Sequence, residues 1–159
     1  MPSYEKEAAV LAGYCRRCGG KCCGGHYILI SAGEYALLAK MRKFPEGGIN
    51  SPTGCVVRSI DALGGGKCPF LEKEGCILPG KMRPLVCRMF PVTFTLEKEG
   101  IRFHLSKFCP YAQDVRGLKI WLEETKKEAL TELAERWSRK EIRCFGDYLR
   151  KKEHDLMEC

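Results

Sequence analysis

Between residues 15 and 25 the chain reads CRRCGGKCCGG, four cysteines and four glycines in eleven positions, and no ordinary hydrophobic core is built from such a stretch. Glycine lets backbone amides come close to sulfur in conformations closed to other residues, and cysteines separated by two residues reach one metal from a single turn. The whole chain carries 11 cysteines in 159 residues. That density serves disulfides in small secreted domains or metal in a reducing compartment. The start, MPSYEKEAAVLAGYC, has no basic segment followed by an apolar run, so no export signal is expected. Charged residues interrupt every apolar stretch well short of the roughly 20 positions that cross a bilayer. The cysteines are therefore expected to be thiolate ligands in a cytoplasmic protein.

Eight cysteines form the candidate ligand set: Cys15, Cys18, Cys22, Cys23, Cys68, Cys76, Cys87 and Cys109. Cys15 and Cys18 are the CxxC pair, followed by Gly-Gly. Cys22 and Cys23 are adjacent, and neighbouring side chains diverge, so one of them is spare or the site holds more than one metal ion. Cys68 and Cys109 each precede proline, as in ferredoxin-type cluster loops, and Cys76 and Cys87 fall in the irregular stretch between them. The set suffices for one cluster with spares or for two centres, and spacing does not choose. Cys55, Cys144 and Cys159 are read as non-ligands, with Cys144 an apolar filler of a helix. His26 follows the cysteine turn and is a weaker candidate ligand, whereas His104 and His154 are expected to face water.

The rest of the chain reads as a single α+β domain over 1–159, mostly helical, with a cysteine-rich metal-binding part over 12–110 and a helical extension over 111–159. Residues 3–13 are expected to form a helix ending at Gly13, with the cysteine run starting in a turn. Ser31 and Glu34 form a capping box for a helix to about Arg42. Residues 44–67 read as loop with a short strand at 55–59, and 67–91 should wrap an object rather than form a layer, apart from a turn or two of helix after Pro84. Alternation on both sides of a Glu-Gly turn predicts a β-hairpin over about 91–106, with Val92, Phe94 and Leu96 opposite Ile101, Phe103 and Leu105. From about Tyr111 to Lys152 helical periodicity runs on, with breaks near Thr125 and Gly146 and with Trp121 and Trp137 as core or interface aromatics.

The formal charge is +7, but Arg16, Arg17, Lys21, Lys81, Arg83 and Arg88 lie beside cysteines, where they would offset the negative charge of a thiolate-bound cluster. No nucleic-acid-binding motif accompanies them. Arg83 and Arg88 are read as cofactor-side residues, bracing the cluster and its backbone in preference to anchoring an anionic substrate. CxxCxxxCC is not the CxxxCxxC loop of radical enzymes that use S-adenosylmethionine, and no Ser-His-Asp set, phosphate loop or carboxylate pair appears.

The segments CRRCGGKCC, CPFLEKEGC and MRPLVCRMFP, in that order, resemble the YkgJ-type cysteine-cluster family of zinc- or iron-chelating domains, over roughly residues 12–110. The resemblance implies metal binding by the eight cysteines named above, with Arg83, Pro84, Arg88 and Pro91 on the shared motif. Members of that family are similar to the cysteine-rich part of flagellin lysine methylases, which are thought to use an iron-sulfur cluster. A zinc ribbon would show a second CxxC pair, absent here. With the two Cys-Pro steps, this favours an iron-sulfur cluster, 4Fe-4S, over zinc. The expected role is electron transfer with a protein partner of complementary acidic surface. A zinc-held structural module and a cluster-dependent protein-modifying enzyme are the alternatives.

Overall fold

The computed structural model describes residues 3–19, 28–41, 46–50, 56–60, 68–73, 75–150 and 156–158. Helix α1 (Tyr4–Cys18) starts at Ser3, whose hydroxyl accepts from the Lys6 amide, and stops at Gly19, left-handed at φ 65° with its N–H donating to the Arg16 carbonyl. The expected end at Gly13 is therefore wrong, and Cys15 and Cys18 stand on the helix itself. An interior glycine costs a helix about 1 kcal/mol. Here Ala8, Leu11 and Tyr14 pack on the main core, and Arg16 and Arg17 complement the helix dipole at its C-terminal end.

Strand β1 (Ile28–Ile30) leads into α2 (Ala32–Ala39), where the Ser31–Glu34 capping box forms as the sequence predicts. The helix ends short of Arg42, which lies outside the described residues. Strands β2 (Glu46–Asn50) and β3 (Val56–Ile60) build an antiparallel sheet in the order β1-β3-β2, with Ile28 opposite Ile60 and Ile49 opposite Val57. β3 was expected close to this position. β1 and β2 were not, because three residues, or a glycine-rich five, carry too little alternation to be read without their partner.

The next segment holds the two-residue strands β4 (Leu71–Glu72) and β5 (Gly75–Cys76), a 3₁₀ turn at Gly80–Met82 and the short helix α3 (Leu85–Met89) behind Pro84. The predicted hairpin is β6 (Val92–Glu97) with β7 (Gly100–Ser106), and Val92, Phe94 and Leu96 stand opposite Leu105, Phe103 and Ile101. A third strand, β8 (Leu156–Glu158), pairs with β7 and sets Glu158 opposite His104. His104 is half-buried, its Nε2 2.8 Å from the Thr95 hydroxyl. Its expected place facing water therefore holds only in part, and the third strand, whose sequence gives no sign of pairing, was not foreseen.

The C-terminal part is three helices, α4 (Ala112–Val115), α5 (Lys119–Arg136) and α6 (Arg139–Arg150). The breaks fall at Gly117–Leu118 and Trp137–Ser138, not near Thr125 and Gly146. Thr125 is buried inside α5. Ser138 and Glu141 form a second capping box, in which the Glu141 amide donates to the Ser138 hydroxyl and the Ser138 amide to the Glu141 carboxylate. Gly146 lies inside α6, where a Cβ would come within 3.0 Å of the Leu96 nitrogen, so this glycine lets helix and strand approach rather than ending the helix.

Two apolar clusters hold these elements. The larger joins α5 and α6 to the hairpin through Trp121, Leu122, Leu133, Trp137, Phe145 and Phe94. The Phe94 ring lies 4.4 Å from that of Phe145 and edge-on to Trp137 at 6.0 Å. Burying a side chain of this size contributes about 1.5–3 kcal/mol. The smaller cluster joins Ile28, Ile30 and Leu38 to Cys68, Phe70 and Leu78. Three glutamates tie the helices end to side. Glu7 of α1 accepts from the Trp121 amide at the start of α5 (2.7 Å), Glu141 of α6 from Ala32 at the start of α2 (2.6 Å), and Glu34 of α2 from Leu85 at the start of α3 (2.7 Å). The first-turn amides of a helix lack intrahelical acceptors, so a carboxylate from a neighbouring helix satisfies the donor and fixes the packing together.

Candidate metal centre

Six of the eight candidate cysteines fall among the described residues, and all six are thiols outside any disulfide: Cys15 exposed, Cys68 buried, and Cys18, Cys76, Cys87 and Cys109 half-buried. Cys22, Cys23 and Cys55 lie outside those residues, as do Cys159, His26 and His154. Cys144 is buried as expected, but it is disulfide-bonded. The expectation of a chain without disulfides is corrected to that extent.

The fold sorts the six thiols by location. Cys68, Cys76 and Cys87 share the smaller apolar cluster, Cys68 within it and the other two packed against it. Hydrogen bonds fix this arrangement: the Leu71 amide donates to the Cys68 carbonyl at 2.9 Å, Leu71 is the strand partner of Cys76, and the Cys87 amide donates to the Pro84 carbonyl at 2.9 Å. Cys15 and Cys18 occupy one face of the last turn of α1, three residues apart. That turn meets the segment after β7 through the Tyr14 and Tyr111 rings, stacked 4.9 Å apart and nearly parallel, with the Arg17 guanidinium 5.0 Å and 5.4 Å from their centroids. Cys109 stands two residues before Tyr111. Burial pushes its thiol above the usual range, and the nearby Cys18 and Asp114 add to this against a hydrogen bond from the Tyr111 backbone.

Arg83 and Arg88 brace the segment that carries Cys76 and Cys87. The Arg83 Nε donates to the Leu78 carbonyl (3.0 Å) and the Arg88 Nε to the Arg83 carbonyl (3.1 Å). The outer nitrogens of Arg88 pair with Glu128, at 2.8 Å, and with Glu132 of α5. Glu128 and Glu132 lie one turn apart on one face. Glu34 holds the other end of α3. Burial raises its pKa, Glu132 adds to the rise, and hydrogen bonds from Leu85 and Ser31 work in the opposite direction. The capping box was legible in the sequence, but the second use of Glu34, on a helix 51 residues away, was not. The Tyr14–Tyr111 stack was likewise missed, since no local pattern links those two tyrosines.

Thiols suit soft or borderline metals, and donors of this kind fit zinc and iron-sulfur centres alike. Among the described residues no three Cys, His, Asp or Glu side chains already stand as a metal-binding group, so metal would draw these thiols together or recruit donors from beyond them. None of the described helices is long and apolar enough to cross a membrane. No curated protein and no solved structure matches the chain. Residues 14–110, more than half of the chain, match the family CxxCxxCC, described as a putative zinc- or iron-chelating domain, and the chain belongs to that family.

Proposed function

We propose that cysteine thiolates of this chain hold an iron-sulfur cluster, of the 4Fe-4S type, which exchanges single electrons with a protein partner. The ligands are drawn from Cys15, Cys18, Cys22, Cys23, Cys68, Cys76, Cys87 and Cys109. The observation that carries the reading is that residues 14–110 match a zinc- or iron-chelating family and that the six described candidates are thiols outside any disulfide. A cluster is favoured over zinc by the Cys68-Pro69 and Cys109-Pro110 steps and by a single CxxC pair where a zinc ribbon has two. Arg16 and Arg17 on the last turn of α1 supply positive charge beside Cys15 and Cys18, which would offset a cluster's negative charge.

A second reading, a zinc-held structural module, is favoured by one feature. The guanidiniums of Arg83 and Arg88 are engaged with carbonyls and with Glu128 and Glu132, as in a brace around a static site. Elemental analysis with an absorption spectrum on protein purified without oxygen separates the two. Iron with sulfide and a broad band near roughly 400 nm, bleached by dithionite, is the expected result. Colourless protein with bound zinc would move the conclusion to the second reading. Protein that takes up neither metal after anaerobic reconstitution would overturn both.

A further inference from the structure

We infer that Glu132, on helix α5, is a positioning residue for metal binding: through Arg88 it fixes the direction in which α3 presents Cys87. The inference rests on the metal-binding reading above and adds to it a residue from outside the 14–110 match.

Helix α3 stands between the two apolar clusters. Leu85 and Met89, one turn apart, belong to the larger cluster, and Cys87 packs against the smaller one, which contains Cys68 and has Cys76 at its side. At about 100° per residue, Cys87 lies on the opposite side of the helix from Leu85 and Met89. A helix of five residues has almost no stability of its own, and apolar attraction is non-directional, so burial alone does not fix how far α3 is turned about its axis. Polar contacts do. The Glu34 carboxylate accepts from the Leu85 amide at 2.7 Å, which holds the start of the helix. Arg88 holds its side: Nε donates to the Arg83 carbonyl at 3.1 Å, and the outer nitrogens reach Glu128 and Glu132. Arg88 follows Cys87 directly, so a tether on one sets the direction of the other.

Small rotations matter here. A turn of about 20° moves an atom about 5 Å from the helix axis by about 1.7 Å, whereas metal–sulfur bonds of about 2.3 Å hold to within about 0.2 Å. Of the two carboxylates, Glu132 carries most of the effect. Its side chain is 17% exposed and that of Arg88 16%, while Glu128 is 60% exposed, and an ion pair in water contributes little. Side chains that orient a ligand without touching the metal contribute about 10–100-fold to metal affinity.

The test titrates metal-free, full-length protein with zinc, which thiolates bind as they do iron, and reads affinity by competition with a chromogenic chelator. Glu132→Gln is expected to weaken binding by at least about tenfold, and Glu128→Gln by less than about twofold. In an Arg88→Ala background Glu132→Gln should have no further effect. Ile142→Val, which trims the larger cluster from α6, should lower the melting temperature and leave affinity unchanged. Unchanged affinity in folded Glu132→Gln, the same loss with and without Arg88, or an equal loss in Ile142→Val would each overturn the proposal. Should Glu132→Gln fail to fold, Glu132→Asp, with the charge on a shorter arm, is expected to show an intermediate loss, and unchanged affinity there would overturn the proposal too. An unaltered chain that binds no zinc and takes up no iron would refute the metal-binding reading itself, a distinct result. The alkylation rate of Cys87 in the metal-free chain then decides the positioning alone: it is expected to rise in Glu132→Gln relative to Cys15 in the same sample, and an unchanged ratio would overturn it.

Discussion

The thiols on α1 and those around α3 are held in different ways. Around Cys87 the backbone is irregular but braced from several sides: Glu34 on the Leu85 amide, Arg83 on the Leu78 carbonyl, and Arg88 on Glu128 and Glu132. Around Cys18 the secondary structure is regular, yet the last turn of α1 leans on the Tyr14–Tyr111 stack with Arg17 across it. Regular secondary structure is therefore a poor guide to which thiols are preorganised. A five-residue helix has almost no stability alone, and α3 is held by side chains on α2 and α5.

Metal removal gives the largest expected effect and the most direct way to break this comparison. Binding by structural thiolate sites contributes on the order of 10 kcal/mol to folding in small zinc domains. Here the larger apolar cluster joins α5, α6 and the hairpin without using any of the six thiols, so the stripped chain is expected to keep that core. Hydrogen exchange on metal-free protein should show amides 14–19 losing protection at least about tenfold while amides 85–89 keep theirs. Equal loss at both places would mean that the braces around α3 depend on metal, and that the contrast is false.

Next in size is Arg88→Ala. It leaves Glu132, with a side chain only 17% exposed, without its partner, and Glu132 already acts unfavourably on the half-buried Glu34. Glu128 is 60% exposed and contributes little. The expected loss is about 2 kcal/mol, a fall in Tm of about 4–8 °C for a chain of this size. Arg17→Ala at the other end removes an exposed cation from two rings and should lower stability by less than about 1 kcal/mol. A thermal melt of each variant checks the pair, and a larger loss for Arg17→Ala would reverse the comparison.

Legibility in the sequence follows the range of the interactions. The hairpin and its register were readable because alternation about a Glu-Gly turn is local, and so was the Ser31–Glu34 capping box. The end of α1 was misread at Gly13, because a glycine ends a helix only where nothing packs beyond it, and Tyr14 packs there. The break at Trp137–Ser138 carried a usable signal, Ser138 followed by Glu141, obscured by uninterrupted helical periodicity. The segments CRRCGGKCC, CPFLEKEGC and MRPLVCRMFP carried the resemblance to a metal-binding family. The gathering of Cys68, Cys76 and Cys87 at one apolar cluster, the cap from Glu34 to Leu85 and the stacked tyrosines depend on contacts between residues far apart in sequence, which no local pattern reports.

Glu34→Gln tests the brace at the start of α3. Both carboxylate oxygens are in use, one on Leu85 at 2.7 Å and one on Ser31 at 2.8 Å. Glutamine keeps one acceptor and sets an NH₂ against an amide donor, for an expected loss of about 1–2 kcal/mol. The pH dependence has a definite sign. The folded-state pKa is raised above the ordinary 4.5, chiefly by burial. The group's contribution is therefore full below 4.5 and is lost as pH rises through the higher folded value. Glutamine does not ionise, so the margin of the unaltered chain over the variant should narrow across that window, as read by denaturant melts on metal-free protein. A margin that widens with pH would mean that the two amide bonds outweigh desolvation.

Tyr111→Leu, like Arg17→Ala, is expected to have a small effect. Leucine keeps apolar contact with Tyr14 but gives up the stack and one of the two rings under Arg17. Such ring pairs contribute about 0.5–1.5 kcal/mol beyond their area, so a loss of about 1 kcal/mol is expected from global melts. The informative measurement is local. If this stack holds the last turn of α1, hydrogen exchange at residues 14–19 should quicken by about fivefold, the rate equivalent of that energy, while exchange in α3 stays unchanged. Faster exchange in α3 as well would mean that the two thiol regions are coupled through α5 and respond as one. Unchanged exchange at both ends would instead transfer the support of Cys18 from the tyrosines to the Gly19 cap, whose N–H holds the Arg16 carbonyl.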